Sequence, residues 1–192
     1  MADGFIRWYR EAAATPVLAQ QAQLFERHGI VLVHPTRGGA VVLDVEGNAV
    51  VMRPEELGHL LALRIASLTM NWWFSANVNV IDQYVYEPLG CEIQTLWLDG
   101  LTPQQEDAVE AAVMAAAREL PVPTRAVIVD RSGAGDPEDW DSAVLYEGDG
   151  LPPFPDRVLA RHPLAQRFTR SPVLGRQEAG GGLTLFSPAR PS

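Results

Sequence analysis

Between Trp72 and Tyr86 the apolar side chains recur at every second residue. Trp72, Phe74, Ala76, Val78, Val80, Tyr84 and Tyr86 hold even positions, while Ser75, Asn77, Asn79 and Gln83 hold odd ones. Side chains alternate in this way between the two faces of a β-strand, so the stretch commits the chain to a sheet with at least one buried face. It is long for a single strand, and a bend is expected over 79–82. Glu87-Pro88-Leu89-Gly90 reads as a turn. Residues 91–98 read as a second strand, antiparallel to the first.

The rhythm then changes. Thr102-Pro103-Gln104-Gln105 has the form of a capping box with proline at the first helical position. Ala108, Val109, Ala112, Val113, Ala116, Ala117 and Leu120 follow at helical spacing, and Pro121 ends the run. Residues 124–130 are again strand-like. Strand, helix and strand with short connections predict a βαβ unit over 91–130, with 91–98 parallel to 124–130.

The rest is read by the same rules. Residues 4–13 read as a short helix. A second helix is expected over 16–28, with Thr15 as cap, Pro16 at its first position and Gly29 as its stop. Ile30–Val33 reads as a strand. Residues 40–45 and 49–52 flank Glu46-Gly47-Asn48 as a hairpin. Pro54-Glu55-Glu56 opens a helix with Leu57, Leu60, Leu61, Ile65 and Leu68 on one stripe. Residues 131–141 read as a loop, 142–147 as an edge strand and 151–155 as extended. A short helix broken at His162-Pro163 is expected over 157–168, a last strand over 183–186 and a frayed end after Ser187. The expected class is α+β: a mixed, mainly antiparallel sheet of short strands, with helices packed on one face and one βαβ unit. A single domain over 1–192 is expected; hairpin-then-helix patterns suggest two similar halves, about 1–70 and 71–192, without any residue-level repeat.

Composition removes whole classes of chemistry. The chain has 192 residues and no lysine, its 15 basic residues all being arginine. A Schiff-base lysine and a P-loop lysine are therefore excluded. Arginine without lysine, amid abundant alanine, glycine and proline, suggests a GC-rich bacterial genome. The net charge of -9 opposes non-specific binding to nucleic acid, so no nucleic-acid partner is expected. No apolar run is long enough to span a membrane and no basic, then apolar, leader opens the sequence, so a cytoplasmic location is expected. Cys91, the only cysteine, lacks a cationic neighbour in sequence and reads as a strand residue.

Motifs are few. The loop 130–141 is rich in carboxylates but lacks the calcium-loop spacing, and Gly133-Ala134-Gly135 lies too close to acids to cradle a phosphate. His28, His34, His59 and His162 share no ligand spacing, and no serine lies in a nucleophile elbow. No cofactor and no metal are expected. Trp72, Trp73, Tyr84, Tyr86 and Trp97 concentrate aromatic groups on neighbouring strands, and alternation sends Trp72 and Trp73 to opposite faces. Asp99 and Asp130 stand at the ends of two strands expected to be parallel, where open sheets place their sites. Trp72, Trp73, Asp82, Tyr84, Asp99 and Asp130 are thus the candidate binding residues.

The expected function is a non-catalytic acidic binding protein of the bacterial cytoplasm, of the immunity or regulatory kind, that masks a basic protein partner. The alternative is a small enzyme or ligand-binding domain with a carboxylate-containing pocket between sheet and helices. A second copy of the chain is a further expected partner, joined through the edge strand 142–147 or the last strand, 183–186.

Overall fold

The computed structural model describes residues 4–13, 17–169, 171 and 173–189. Its strands are β1 (Phe5–Glu11), β2 (Ala40–Leu43), β3 (Ala49–Met52), β4 (Ser67–Ser75), β5 (Val78–Glu87), β6 (Cys91–Trp97), β7 (Thr124–Asp130), β8 (Arg157–Arg161), β9 (Leu174–Gly180) and β10 (Leu183–Pro188). They form one 10-stranded sheet in the order β3-β2-β4-β5-β6-β1-β7-β8-β10-β9. Each of these pairings is antiparallel. The helices are α1 (Leu18–Glu26), α2 (Pro54–Ala62), α3 (Pro103–Glu119), α4 (Asp141–Leu145) and α5 (Leu164–Phe168). The class is α+β, dominated by the sheet.

The largest departure from the sequence reading is β1. Residues 4–13 were expected to be helical, yet Phe5–Glu11 form a strand in the middle of the sheet, between β6 and β7. A central strand is buried on both faces, so it shows no polar stripe to reveal its period. Ile6 and Trp8 enter one apolar cluster and Phe5 and Tyr9 the other, which is the alternation of a strand. This strand also changes the expected βαβ unit. β6 and β7 both run antiparallel to β1, so they point the same way, but β1 lies between them and takes their hydrogen bonds.

Helices cover both faces. Leu24 and Phe25 of α1, Leu57 of α2 and Val109 and Val113 of α3 join the cluster of Ile6 and Trp8. Ala143 of α4 and Leu164 and Phe168 of α5 join that of Phe5 and Tyr9. Where helices on one face were expected, α1, α2 and α3 thus share one cluster and α4 and α5 the other.

Smaller departures have local causes. Residues 142–147 form no edge strand: Asp136 caps a 3₁₀ turn, Pro137–Trp140, by accepting from the Glu138 N–H at 2.9 Å, and the turn runs straight into α4. The run 157–168 divides at His162-Pro163 into β8 and α5. Ile30–Val33 makes only single bridges, Val31 with Trp73 and Val33 with Ala40. The turn between β4 and β5 falls at 76–77, before the expected bend. The α3 capping box forms as expected, with the Thr102 N–H donating to Gln105 Oε1 at 2.9 Å. The cap expected from Thr15 and Pro16 lies outside the described residues; of the end expected to fray, 188–192, Pro188 closes β10 and the Ala189 N–H donates to the Val173 carbonyl at 2.9 Å, while 190–192 lie outside the described residues.

Candidate functional site

Three of the expected binding residues meet inside the sheet. The register sets Tyr84 of β5 opposite Gln94 of β6, and Gln94 opposite Trp8 of β1, so these side chains share the face covered by α1 and α3. Two residues before Tyr84, Asp82 is fully buried on that face. Its Oδ2 accepts from Trp72 Nε1–H at 2.8 Å and from Gln94 Nε2–H at 2.5 Å. Its Oδ1 has no partner in the described residues. Burial pushes the Asp82 carboxyl up to about 6, against the two hydrogen bonds and the more distant Arg10 charge, which act to lower it. A carboxylate in a dry site is disfavoured because its charge loses hydration.

The polar network continues along the same face. Arg10 donates from Nε to Glu92 Oε2 at 2.8 Å and from Nη1 to Gln21 Oε1 of α1 at 2.9 Å, and its guanidinium lies 4.7 Å from the Trp8 ring. Burial and the neighbouring Glu92 carboxylate push the Tyr84 hydroxyl above the ordinary tyrosine range. Tyr84 Oη, Gln94 Oε1 and Gln21 Nε2 join Asp82 Oδ1 as buried polar atoms without a partner in the described residues. The cluster is chemically unusual and enclosed, since Trp72, Tyr84, Gln94 and Asp82 are each at most 1% exposed. It holds strands together and offers no entry to a partner.

The other expected residues are scattered. Trp73 lies on the opposite face, 9% exposed, with its ring 4.2 Å from that of His34. Asp130 is buried and organises the loop after β7: Oδ1 accepts from Ser132 Oγ–H and the Ala134 N–H, and Oδ2 from the Gly135 N–H at 2.9 Å. Asp99 is exposed in the turn after β6, where Gly100 takes φ 73°.

The loop held by Asp130 forms one wall of an open groove of about 600 Å³. Its opposite wall is Trp97 of β6 and Gln83 of β5, whose Oε1 accepts from Trp97 Nε1–H at 3.0 Å. Trp97 is half-buried, with its ring edge-on to Phe5. Asp136, Glu138 and Asp139 are exposed on the rim, and none forms an ion pair among the described residues. Arg7, which also lines the groove, is held by Asp141 through two contacts of 2.8 Å, by Thr95 Oγ1 at 2.7 Å and by Tyr9 Oη at 2.9 Å. Burial opposes the Arg7 charge, and Tyr9 and Asp141 overcome it and raise the pKa. The groove therefore presents an indole and exposed carboxylates, of which Asp136 also caps the 3₁₀ turn, over a neutralised floor.

The chain matches no family model, no curated protein and no solved structure. No group of three or more His, Cys, Asp or Glu suited to a metal ion occurs among the described residues, and no described helix is long and apolar enough to cross a membrane. The sequence carried a trace of the groove, because Trp97 belongs to the aromatic concentration and 130–141 to the acidic loop. Nothing in their spacing placed one against the other. Arg7, Arg10, Glu92 and Gln94 had no sequence signal once 4–13 was read as a helix.

Proposed function

We propose that this chain is a non-catalytic binding protein, of the immunity or regulatory kind, that receives a basic protein partner on its acidic surface. The observation that carries the reading is the groove under Trp97. Asp136, Glu138 and Asp139 are exposed there and form no ion pair among the described residues, so they meet an incoming arginine or lysine without first breaking such a pair. The half-buried indole adds a flat apolar surface on which a guanidinium or an aliphatic stem can lie. With a net charge of -9 the whole molecule attracts a basic partner from a distance, and the attraction weakens with salt. A bacterial cytoplasmic setting belongs to the same reading, and arginine without lysine amid abundant alanine, glycine and proline supports the bacterial part of it.

The test is affinity capture from source lysate with the folded chain as bait. Basic proteins retained at low salt, released at high salt and lost from an Asp136→Asn/Glu138→Gln/Asp139→Asn variant support the reading. Retention that ignores both the variant and salt overturns it.

A second reading, a small enzyme or ligand-binding domain, rests on a cleft of about 940 Å³ between the sheet and α4 and α5. Its walls carry the Glu11–Arg125 ion pair, with Nε to Oε1 at 2.7 Å, and Arg167, which donates to the Asp149 carbonyl at 2.8 Å. Such a cleft suits a small polar molecule. A thermal-shift screen separates the two readings, since only the second predicts stabilisation by small ligands that Glu11→Gln abolishes.

A further inference from the structure

Trp97 is held in place from two sides. Its Nε1–H donates to Gln83 Oε1 at 3.0 Å, and its ring meets the Phe5 ring edge-on, 6.3 Å between centres. The one donor of the indole is therefore spent, and what the side chain still offers the groove is its π surface. Across the groove, Gly133-Ala134-Gly135 carry no side chain larger than a methyl group, which leaves the space beside the ring open to a flat group. On the sheet side, the register sets Ile81 of β5 opposite Trp97, and Ile81 is 39% exposed. The groove thus joins a π surface, a rim of carboxylates and an exposed aliphatic side chain.

We propose that the groove selects arginine over lysine in its partner, and that the arginine is flanked by an apolar side chain that packs on Ile81. This selection rests on the groove reading above and goes beyond it by naming the side chain that enters. Carboxylates alone do not separate the two residues, because a guanidinium and an ammonium both pair with them. The indole does. A guanidinium is planar and weakly hydrated, so it can lie on the ring while its N–H edge stays turned to the carboxylates of the rim. An ammonium is compact and strongly hydrated, and it gives up more water for less contact with the ring. The floor favours the same occupant. Arg7 is the chain's own guanidinium in the groove, but Asp141, Thr95 and Tyr9 already hold its donors. It therefore leaves Asp136, Glu138 and Asp139 to the partner, and its charge is offset by Asp141. In an extended segment residues i and i+2 lie on one face, so an apolar residue two places from the arginine can reach Ile81.

Nuclear magnetic resonance titration of the full chain at low salt tests this, with capped peptides as probes. The peptide Leu-Gly-Arg-Gly-Leu is compared with its lysine counterpart and with a version carrying serine in place of both leucines. The reporter is the Trp97 indole N–H signal, assigned by its loss in Trp97→Leu. The arginine peptide is expected to shift that signal and to bind about fivefold or more tightly than the lysine peptide. The serine version binds more weakly than the leucine version to wild type, and equally to Ile81→Ser. In Trp97→Leu, followed through the backbone amides of 133–135, the arginine and lysine peptides bind alike. The Asp136→Asn/Glu138→Gln/Asp139→Asn variant weakens both. Lysine bound as tightly as arginine by wild type overturns the proposal, whatever the variants do. A preference for arginine that survives in Trp97→Leu overturns it too, as does a Trp97 signal unmoved by the arginine peptide up to about 10 mM. Capture of lysate proteins that is lost in the acidic-residue variant, beside equal binding of the two peptides, overturns the arginine selection and leaves the groove reading standing.

Discussion

The indole of Trp72 donates its Nε1–H to Asp82 over 2.8 Å inside a core where neither side chain reaches water. The bond ties β4 to β5 and leaves the carboxyl dependent on protein donors alone. The folded carboxyl titrates at about 6, and the ordinary value is 3.8. Between those values the folded chain keeps a proton that the unfolded chain has released. Stability linked to Asp82 is therefore fully present in acid and is lost as pH rises through this window, by on the order of 3 kcal/mol. In Asp82→Asn the amide oxygen can take both existing bonds while an N–H replaces the unpartnered oxygen. Urea unfolding should show this variant to be more stable than wild type at neutral pH, the difference vanishing in acid. A difference constant across the window would remove Asp82 as its source.

Two ion pairs of similar appearance should respond differently to truncation. Asp141 neutralises Arg7, whose side chain is 8% exposed. Asp141→Ala leaves that guanidinium in the core with only Thr95 and Tyr9, and a cost of about 3 kcal/mol is expected. Glu110 of α3 binds Arg131 at 2.6 Å and also Arg157, but these side chains are 25% and 48% exposed. Both arginines can turn to water when Glu110 is lost, and Glu110→Ala should cost about 1 kcal/mol. Chemical denaturation of the two variants checks the order, and a larger loss in Glu110→Ala would contradict it.

These contrasts mark where sequence reading stops. The hairpin of β2 and β3, the capping box at Thr102 and the strand–helix–strand order of β6, α3 and β7 depend on residues a few places apart, and each was legible. The place of β1 depends on partners 82 to 134 residues away: Arg10 on Glu92 and Arg7 on Asp141. Without those partners two arginines among aromatics look like the polar positions of a helix. Asp82, Tyr84 and Trp72 were singled out as chemistry-bearing residues, but alternation gives a side chain's face and not what covers that face. Asp130 had the loop-end role open to any strand-terminal aspartate, whereas the groove under Trp97 needed the 131–139 loop to fold back over β6.

Cys91 should be silent towards thiol reagents. It is fully buried between β5 and β1, and burial pushes its thiol up to about 12, the nearby Arg125 charge being too weak to offset the loss of hydration. Since the thiolate is the reactive form, a disulfide reagent at mildly alkaline pH should label the native chain only at the rate of unfolding and label it at once in denaturant. Fast labelling of native protein would show that the strand opens or that the thiol is less enclosed.

Thr124 joins three elements through one hydroxyl. Its Oγ1 accepts from Trp8 Nε1–H of β1 at 3.0 Å and donates to the Ala117 carbonyl of α3 at 3.1 Å. That carbonyl lies in the last turn of the helix, where the backbone has run out of its own donors. Thr124→Val preserves shape and burial but strands the indole N–H and the carbonyl together, at an expected cost of about 2 to 3 kcal/mol. Thr124→Ser keeps both bonds and loses one methyl group, for about 1 kcal/mol. The order of the two variants in urea unfolding decides the matter: if valine is tolerated as well as serine, packing rather than the relayed hydroxyl holds α3 to β1 and β7.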